Sequence, residues 1–140
     1  MKMKTNPTNT VVTRVLVLLL LSAHAGPSFA LDCNKRLTTV ELNECASKEK
    51  DKVEAKLNST YQRIMKSLSR PDPDTDSEQR SRMKKSLISA QRAWVTFREA
   101  DCDAVYEKHA DGTIRNLMYI SCLQRHAEKR VKDLESFERD

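Results

Sequence analysis

Apolar residues after position 37 recur every three or four positions, the spacing of one face of an α-helix. The first such stretch begins at Thr38, where the residues 38–41, Thr-Thr-Val-Glu, fit a capping box. Its apolar positions are Leu42, Cys45, Val53, Leu57, Tyr61, Ile64 and Leu68. Glu49 stands in this stripe where an apolar residue would be expected. Pro71 and Pro73 disfavour helical conformation just before them, so the helix should end near Ser69.

The second predicted helix runs from Ser77 to His109 and carries two adjacent stripes. The first consists of Met83, Leu87, Ala90, Trp94 and Phe97, and the second of Ile88, Gln91, Val95, Arg98, Cys102 and Val105. Two stripes indicate contact with two neighbours, so this helix is expected to be the central one. Gly112 follows its end and is the residue expected to adopt the left-handed cap conformation.

A third helix is predicted from Thr113 to Phe137. Its apolar positions are Leu117, Ile120, Ala127, Val131 and Leu134. Residues typical of helices dominate the chain after residue 30, and strand-forming runs are absent from it. The sequence therefore predicts an all-α fold, an up-down-up three-helix bundle.

The first thirty residues have the three parts of an export signal. A basic segment contains Lys2, Lys4 and Arg14, an apolar run covers residues 15–21, and a small-x-small cleavage site ends at Ala30. Ala25 ends a second possible site. The apolar run is much shorter than the roughly 20 residues that cross a bilayer. We therefore expect a signal peptide over residues 1–30 and one helical domain over residues 31–140, periplasmic or secreted and without a stable membrane anchor.

The charge of this domain excludes two classes of partner. Three of the 25 basic residues and none of the 20 acidic residues fall within residues 1–30, so the remainder carries a net charge of only +2. Charges of both signs are interspersed along it. This pattern lacks the basic footprint of a nucleic-acid-binding or anionic-membrane-binding protein.

All four cysteines lie after the cleavage site, where an oxidising compartment favours disulfides over thiols or zinc ligands. Cys33 has Asp32 before it and Ala30 three positions before it, which does not fit a lipid-modified cysteine. Treating each break between helices as a hairpin gathers all four cysteines at one end of the bundle. That geometry excludes none of the three pairings. We favour the two local ones, Cys33–Cys45 and Cys102–Cys122.

One face of the second helix carries Gln91, Trp94 and Arg98. The structural interpretation makes Trp94 a core anchor and pairs Arg98 with Glu49, which the hairpin register places level with it. The alternative is that Trp94 and Arg98 are exposed as a binding hot spot, because both residue types are enriched in such sites.

Several of these residues together resemble a known family. The motif residues are Cys33 and Cys45 twelve apart, Leu57-Asn58-x-x-Tyr61, Ala90-Gln91-x-x-Trp94-x-x-x-Arg98-x-x-x-Cys102, and Cys122 with Arg130 eight residues later. This pattern resembles the LprI-type lysozyme inhibitor domains, which are small exported bacterial domains. The chain departs from their common pattern at 111–113, Asp-Gly-Thr, and at Ala127. The resemblance implies a protein-binding domain that inhibits a peptidoglycan-cleaving lysozyme.

An inhibitor of this kind has to occlude a cleft that contains two carboxyl groups. A candidate inhibitory loop is the turn around Asp111, Gly112, Thr113 and Arg115, which offers hydrogen-bonding and basic groups. The runner-up hypothesis is a non-inhibitory envelope or secretion-accessory domain that binds another exported protein. A third class is a small catalytic or glycan-binding domain that acts on peptidoglycan itself.

No catalytic site, cofactor or metal site is expected. His109 and His126 lie outside any metal-ligand spacing such as H-E-x-x-H. Asp72, Asp74 and Asp76 have the spacing that begins an EF-hand loop, but Met83 stands in place of its terminal glutamate. We therefore expect these three aspartates to form a solvated turn.

Overall fold

A computed structural model describes residues 32–35 and 37–139 of the chain. The predicted signal peptide, residues 1–30, lies outside these residues. Three helices make up the described part: α1 (Thr39–Ser67), α2 (Ser77–Lys108) and α3 (Arg115–Arg139). The all-α prediction is confirmed, although α3 begins two residues later than expected and continues two residues further.

The capping box at the start of α1 is present as predicted. The Thr38 N–H donates to Glu41 Oε2 at 2.8 Å, and the Glu41 N–H donates back to Thr38 Oγ1 at 3.4 Å. The Thr38 N–H and the Thr38 hydroxyl, which also donates to Glu41 Oε2 at 2.8 Å, lower the pKa of the Glu41 carboxyl because they stabilise its charged form. The helix therefore begins at a position that local sequence chemistry determines.

The aspartates between α1 and α2 serve the backbone of the turn. Asp76 is the N-cap of α2, where its Oδ2 accepts from the N–H groups of Glu78 and Gln79 at 3.0 Å each. Asp72 accepts from the Asp74 N–H at 3.0 Å, and this bond lowers its pKa. Two of the three carboxylates in the EF-hand-like spacing are thus already used locally.

The prediction of a left-handed cap at Gly112 is wrong. Gly112 does not have a positive φ, and neither does any other described residue. The end of α2 instead tightens, with the N–H groups of His109 and Ala110 donating to the carbonyls three residues earlier at 3.0 and 3.1 Å. The Gly112 N–H donates to the His109 carbonyl at 2.9 Å and continues the same winding.

The central helix is α3, which corrects the expectation that α2 occupies this position. α3 packs along both α1 and α2, whereas those two make no comparably extended contact with each other. The core consists of Leu57, Ile64, Leu87, Ala127, Val131 and Leu134. Ala127 on α3 is fully buried and lets neighbouring helices approach closely. The second stripe of α2 instead includes Gln91 and Arg98, which make polar contacts with Arg130 on α3 and with Glu54 on α1.

Both favoured disulfides are present. Cys33–Cys45 ties the segment before α1 to that helix, and Cys102–Cys122 joins α2 to α3. Their surroundings differ, because Cys33 is exposed while Cys102 and Cys122 are buried, at 0% and 1% exposure. The two bonds therefore stabilise different things: the first closes a surface loop, and the second fixes the register of two helices.

We expect dithiothreitol to reduce Cys33–Cys45 first. The second disulfide should react at least about tenfold more slowly, because an opening that exposes it requires more than about 1.4 kcal/mol. Trapping thiols with an alkylating reagent at intervals, followed by peptide mapping, measures the two rates. Circular dichroism at the same times reports whether the helices are still intact. Equal rates in helical protein would contradict the burial-based order.

Candidate binding surface

Trp94 and Arg98 lie one turn apart on α2 and stack on each other. The Arg98 guanidinium carbon is 4.8 Å from the centre of the Trp94 ring, a cation–π contact. Trp94 is half-buried and packs against the core. Arg98 Nη1 donates to Glu54 Oε1 on α1 at 2.5 Å, and the Arg98 side chain is 13% exposed. This part of the predicted face is therefore a bridge between two helices.

The partner of Arg98 is Glu54, which corrects the expected pairing with Glu49. Helical side chains lean toward the N-terminus of their own helix, so two level residues on antiparallel helices lean away from each other. Glu54 lies further along α1, and its carboxylate leans back toward Arg98. Glu49 accepts from Lys52 on its own helix at 2.6 Å, and its side chain is 58% exposed.

Gln91 and Arg130 continue this polar layer between α2 and α3. The Arg130 Nε–H donates to Gln91 Oε1 at 3.0 Å. Arg98 Nε and Arg130 Nη2 are buried, and neither has a hydrogen-bond partner among the described residues. Since buried polar atoms are costly when unpaired, this layer tolerates little change. The geometry favours the structural interpretation of the face over an exposed hot spot.

The predicted inhibitory loop joins α2 to α3, and Asp111, Thr113 and Arg115 are exposed in it. Arg115 does not project freely. Its Nη1 donates to the Ala110 carbonyl at 3.2 Å, and its guanidinium carbon lies 5.2 Å from the centre of the Tyr106 ring. The basic group is thus held against an aromatic ring at the tip of the α2–α3 hairpin.

The sequence analysis did not single out the aromatic part of this tip. The rings of Tyr106 and Tyr119 meet edge to face with their centres 6.0 Å apart. Ile114, in the loop that joins α2 to α3, is 45% exposed. We call Tyr106, Ile114, Arg115 and Tyr119 the tip cluster. The available signal was the spacing to the cysteines: Tyr106 follows Cys102 by four residues, and Tyr119 precedes Cys122 by three. One disulfide therefore lies about one turn from both tyrosines.

A second arrangement lies on the other side of the same disulfide. Phe97, predicted to lie in the apolar stripe, is 60% exposed, and its ring meets that of His126 edge to face at 5.6 Å. His126 Nε2 is 2.7 Å from Asp101 Oδ2. The burial expected for Phe97 is therefore wrong, because α1 does not cover this part of α2.

An apolar groove of about 550 Å³ runs between α2 and α3 at the end away from the tip. Its apolar lining is Met83, Leu87, Ala90, Leu134 and Phe137. Arg82, Arg130 and Asp133 add charges of both signs to its lining. Within the described residues, no helix has the length and apolar character needed to cross a membrane.

The described residues form a small, disulfide-bonded helical domain with aromatic and basic side chains clustered at the tip of the α2–α3 hairpin. The chain belongs to the LprI lysozyme inhibitor family, whose model matches residues 33–134. An uncharacterized protein of Rhizobium meliloti (strain 1021) is 27% identical over 106 residues, which cover 74% of this chain and 76% of the relative. No solved structure shows significant similarity to the chain.

The corrected ion pair gives a test with a matched control. Glu54→Ala should destabilise the domain by about 2 kcal/mol, because it leaves the nearly buried Arg98 without its carboxylate; a fully buried pair would cost 3–5 kcal/mol. The melting temperature should fall by roughly 10 °C. Glu49→Ala changes the same residue type on the same helix and should change the melting temperature little. Equal losses in thermal unfolding would contradict the assigned pairing.

Proposed function

We propose that the protein is an exported protein-binding domain that inhibits lysozyme-type peptidoglycan hydrolases, and that the tip cluster forms the contact. Membership of the lysozyme inhibitor family over residues 33–134 is the observation that supports this proposal. Inhibition also requires no catalytic machinery of the domain itself, only a surface that fits the cleft of the enzyme. The predicted signal peptide, residues 1–30, and the two disulfides support a periplasmic or secreted location.

The composition of the tip cluster suits a protein contact. Tyrosine and arginine are enriched among residues that dominate binding energy, and the cluster contains two of the first and one of the second. Its two tyrosines are also held in place before binding, since their rings meet edge to face and the Cys102–Cys122 bond fixes their helices. Groups that are ordered in advance lose less entropy on association.

Arg115 provides the chemistry that a lysozyme cleft would recognise. Only its Nη1 has a hydrogen-bond partner among the described residues, the Ala110 carbonyl. The remaining N–H groups of the guanidinium can donate to a carboxylate, which arginine binds in a two-pronged geometry. The cleft of a lysozyme contains two carboxyl groups. We propose that Arg115 pairs with one of them while the tyrosines cover the neighbouring cleft wall.

The small net charge of the domain determines how such a complex should form. A net charge of +2 gives no long-range attraction to a basic lysozyme, so affinity has to come from close contacts. Inhibition should therefore depend weakly on salt compared with a complex that relies on steering by opposite charges.

The experiment is a turbidity assay of cell-wall lysis by a panel of purified lysozymes. The wild-type protein should slow lysis by at least one of them. Arg115→Ala and Tyr119→Ala should each weaken inhibition by about tenfold or more, equivalent to about 1.4 kcal/mol. Phe137→Ala is the matched control, because it removes an exposed aromatic ring at the opposite end of the domain and should leave inhibition unchanged. Thermal unfolding of each variant establishes that it is folded.

The possible results test the inhibitory function and the tip cluster as the contact surface separately. Inhibition that Arg115→Ala and Tyr119→Ala leave intact would overturn the tip cluster as the contact, but not the inhibitory function. A protein that slows none of the lysozymes would overturn inhibition and favour the non-inhibitory accessory domain. Lysis by the protein alone would favour the third hypothesis, a domain that acts on peptidoglycan.

A further inference from the structure

Four side chains near the tip of the α2–α3 hairpin converge at one point. Asp101 and Cys102 come from α2, and Cys122 and His126 come from α3. The carboxylate oxygen, the two sulfurs and the imidazole nitrogen all lie within 4.8 Å of one another. We call these four residues the hairpin corner. Two sulfurs, an imidazole and a carboxylate are donor groups that zinc prefers in proteins.

The oxidation state of the cysteines decides whether the hairpin corner can bind a metal ion. In the disulfide form the two sulfurs are bonded to each other and do not act as thiolate ligands. Every newly synthesised chain, however, carries these cysteines as thiols until the disulfide forms. We propose that the reduced chain binds one Zn²⁺ at the hairpin corner through Cys102, Cys122, His126 and Asp101.

The backbone positions suit this coordination. Cys122 and His126 are four residues apart and so lie on one face of α3, while Asp101 and Cys102 approach from α2. Ligand atoms around a tetrahedral Zn²⁺ are about 3.3–3.8 Å apart, given metal–ligand distances near 2.0–2.3 Å. Binding therefore requires the two sulfurs to move apart once their bond is broken, and the more distant ligand atoms to approach by up to about 1 Å from the present spacing. The Phe97 ring, which lies perpendicular to the imidazole of His126, also restrains it.

The zinc-bound form converts to the disulfide form with a disulfide oxidant and water as the only other reactants. When Zn²⁺ binds, each thiol loses a proton and becomes a thiolate ligand. When a disulfide oxidant then reacts, the two thiolates lose two electrons and form the Cys102–Cys122 bond. The oxidant takes up the two electrons together with two protons from water and leaves as two thiols, and Zn²⁺ is released because its sulfur ligands are gone. Bound zinc would hold these two cysteines together and away from Cys45, which favours the native pairing.

Cobalt is a suitable probe, because Co²⁺ takes the place of Zn²⁺ and its absorption reports thiolate ligands and tetrahedral geometry. The experiment uses the variant Cys33→Ser/Cys45→Ser, so that only the hairpin corner contributes thiols. After reduction with a phosphine, Co²⁺ should produce a thiolate charge-transfer band that saturates at one equivalent. Zn²⁺ should abolish this band by displacement, and adding oxidised glutathione should release the metal.

The matched control compares the two histidines near the hairpin. His126→Ala should weaken Co²⁺ binding by at least about tenfold. Removing a residue that only hydrogen-bonds to a metal ligand already costs about that much, and His126 is itself a proposed ligand. His109→Ala should bind as tightly as the parent, since His109 contacts the Val105 carbonyl and not the hairpin corner. Equal affinities of the two variants, or no charge-transfer band in the reduced parent, would overturn the proposal.

Circular dichroism covers the case in which the reduced variant loses its helices. Zn²⁺ should then restore the helical signal, because a ligand that binds only the folded form shifts the equilibrium toward it. Failure of Zn²⁺ to restore helicity would also overturn the zinc site. Neither measurement involves a lysozyme, so the result is independent of the proposed inhibitory function.

Discussion

The constraint on which most of this structure depends is the buried Cys102–Cys122 bond. It joins α2 to α3 at one level, and an antiparallel pair of helices then has only one register available. The contacts between Tyr106 and Tyr119, and between Gln91 and Arg130, lie on either side of that level. In the loop-entropy description, a loop of this length contributes roughly 3 kcal/mol to the stability of the domain. The bond therefore fixes the hairpin geometry as well as stabilising the fold.

Much of the fold could be predicted from local sequence chemistry. The capping box at Thr38 and the prolines between α1 and α2 each act within a few residues. Such short-range signals set helix boundaries almost independently of tertiary packing. The two local disulfides were also favoured correctly, and each joins cysteines that are only 12 or 20 residues apart in the chain.

The tertiary details could not be predicted because they depend on side-chain direction and size. Counting residues from a turn places Glu49 level with Arg98, but the lean of helical side chains brings Glu54 to it instead. Likewise, two apolar stripes on α2 suggested a central helix. The second stripe contains Gln91 and Arg98, however, and the fully buried Ala127 lies on α3. Residue type within a stripe decided the packing, and periodicity alone does not contain that information.

The same features explain why the middle of the domain and its tip differ in what they can do. Between the ends, Arg98 and Arg130 each have a buried nitrogen without a hydrogen-bond partner among residues 32–35 and 37–139, so this layer is committed to holding the helices and tolerates little change. At the tip, the ring of Tyr106 and the guanidinium of Arg115 are only partly covered, and most donors of Arg115 have no partner in the described part of the chain. Binding energy comes from groups that are rigid and still unsatisfied. Because the disulfide supplies the rigidity, the tip can leave its aromatic and basic groups available to a partner while the core remains small.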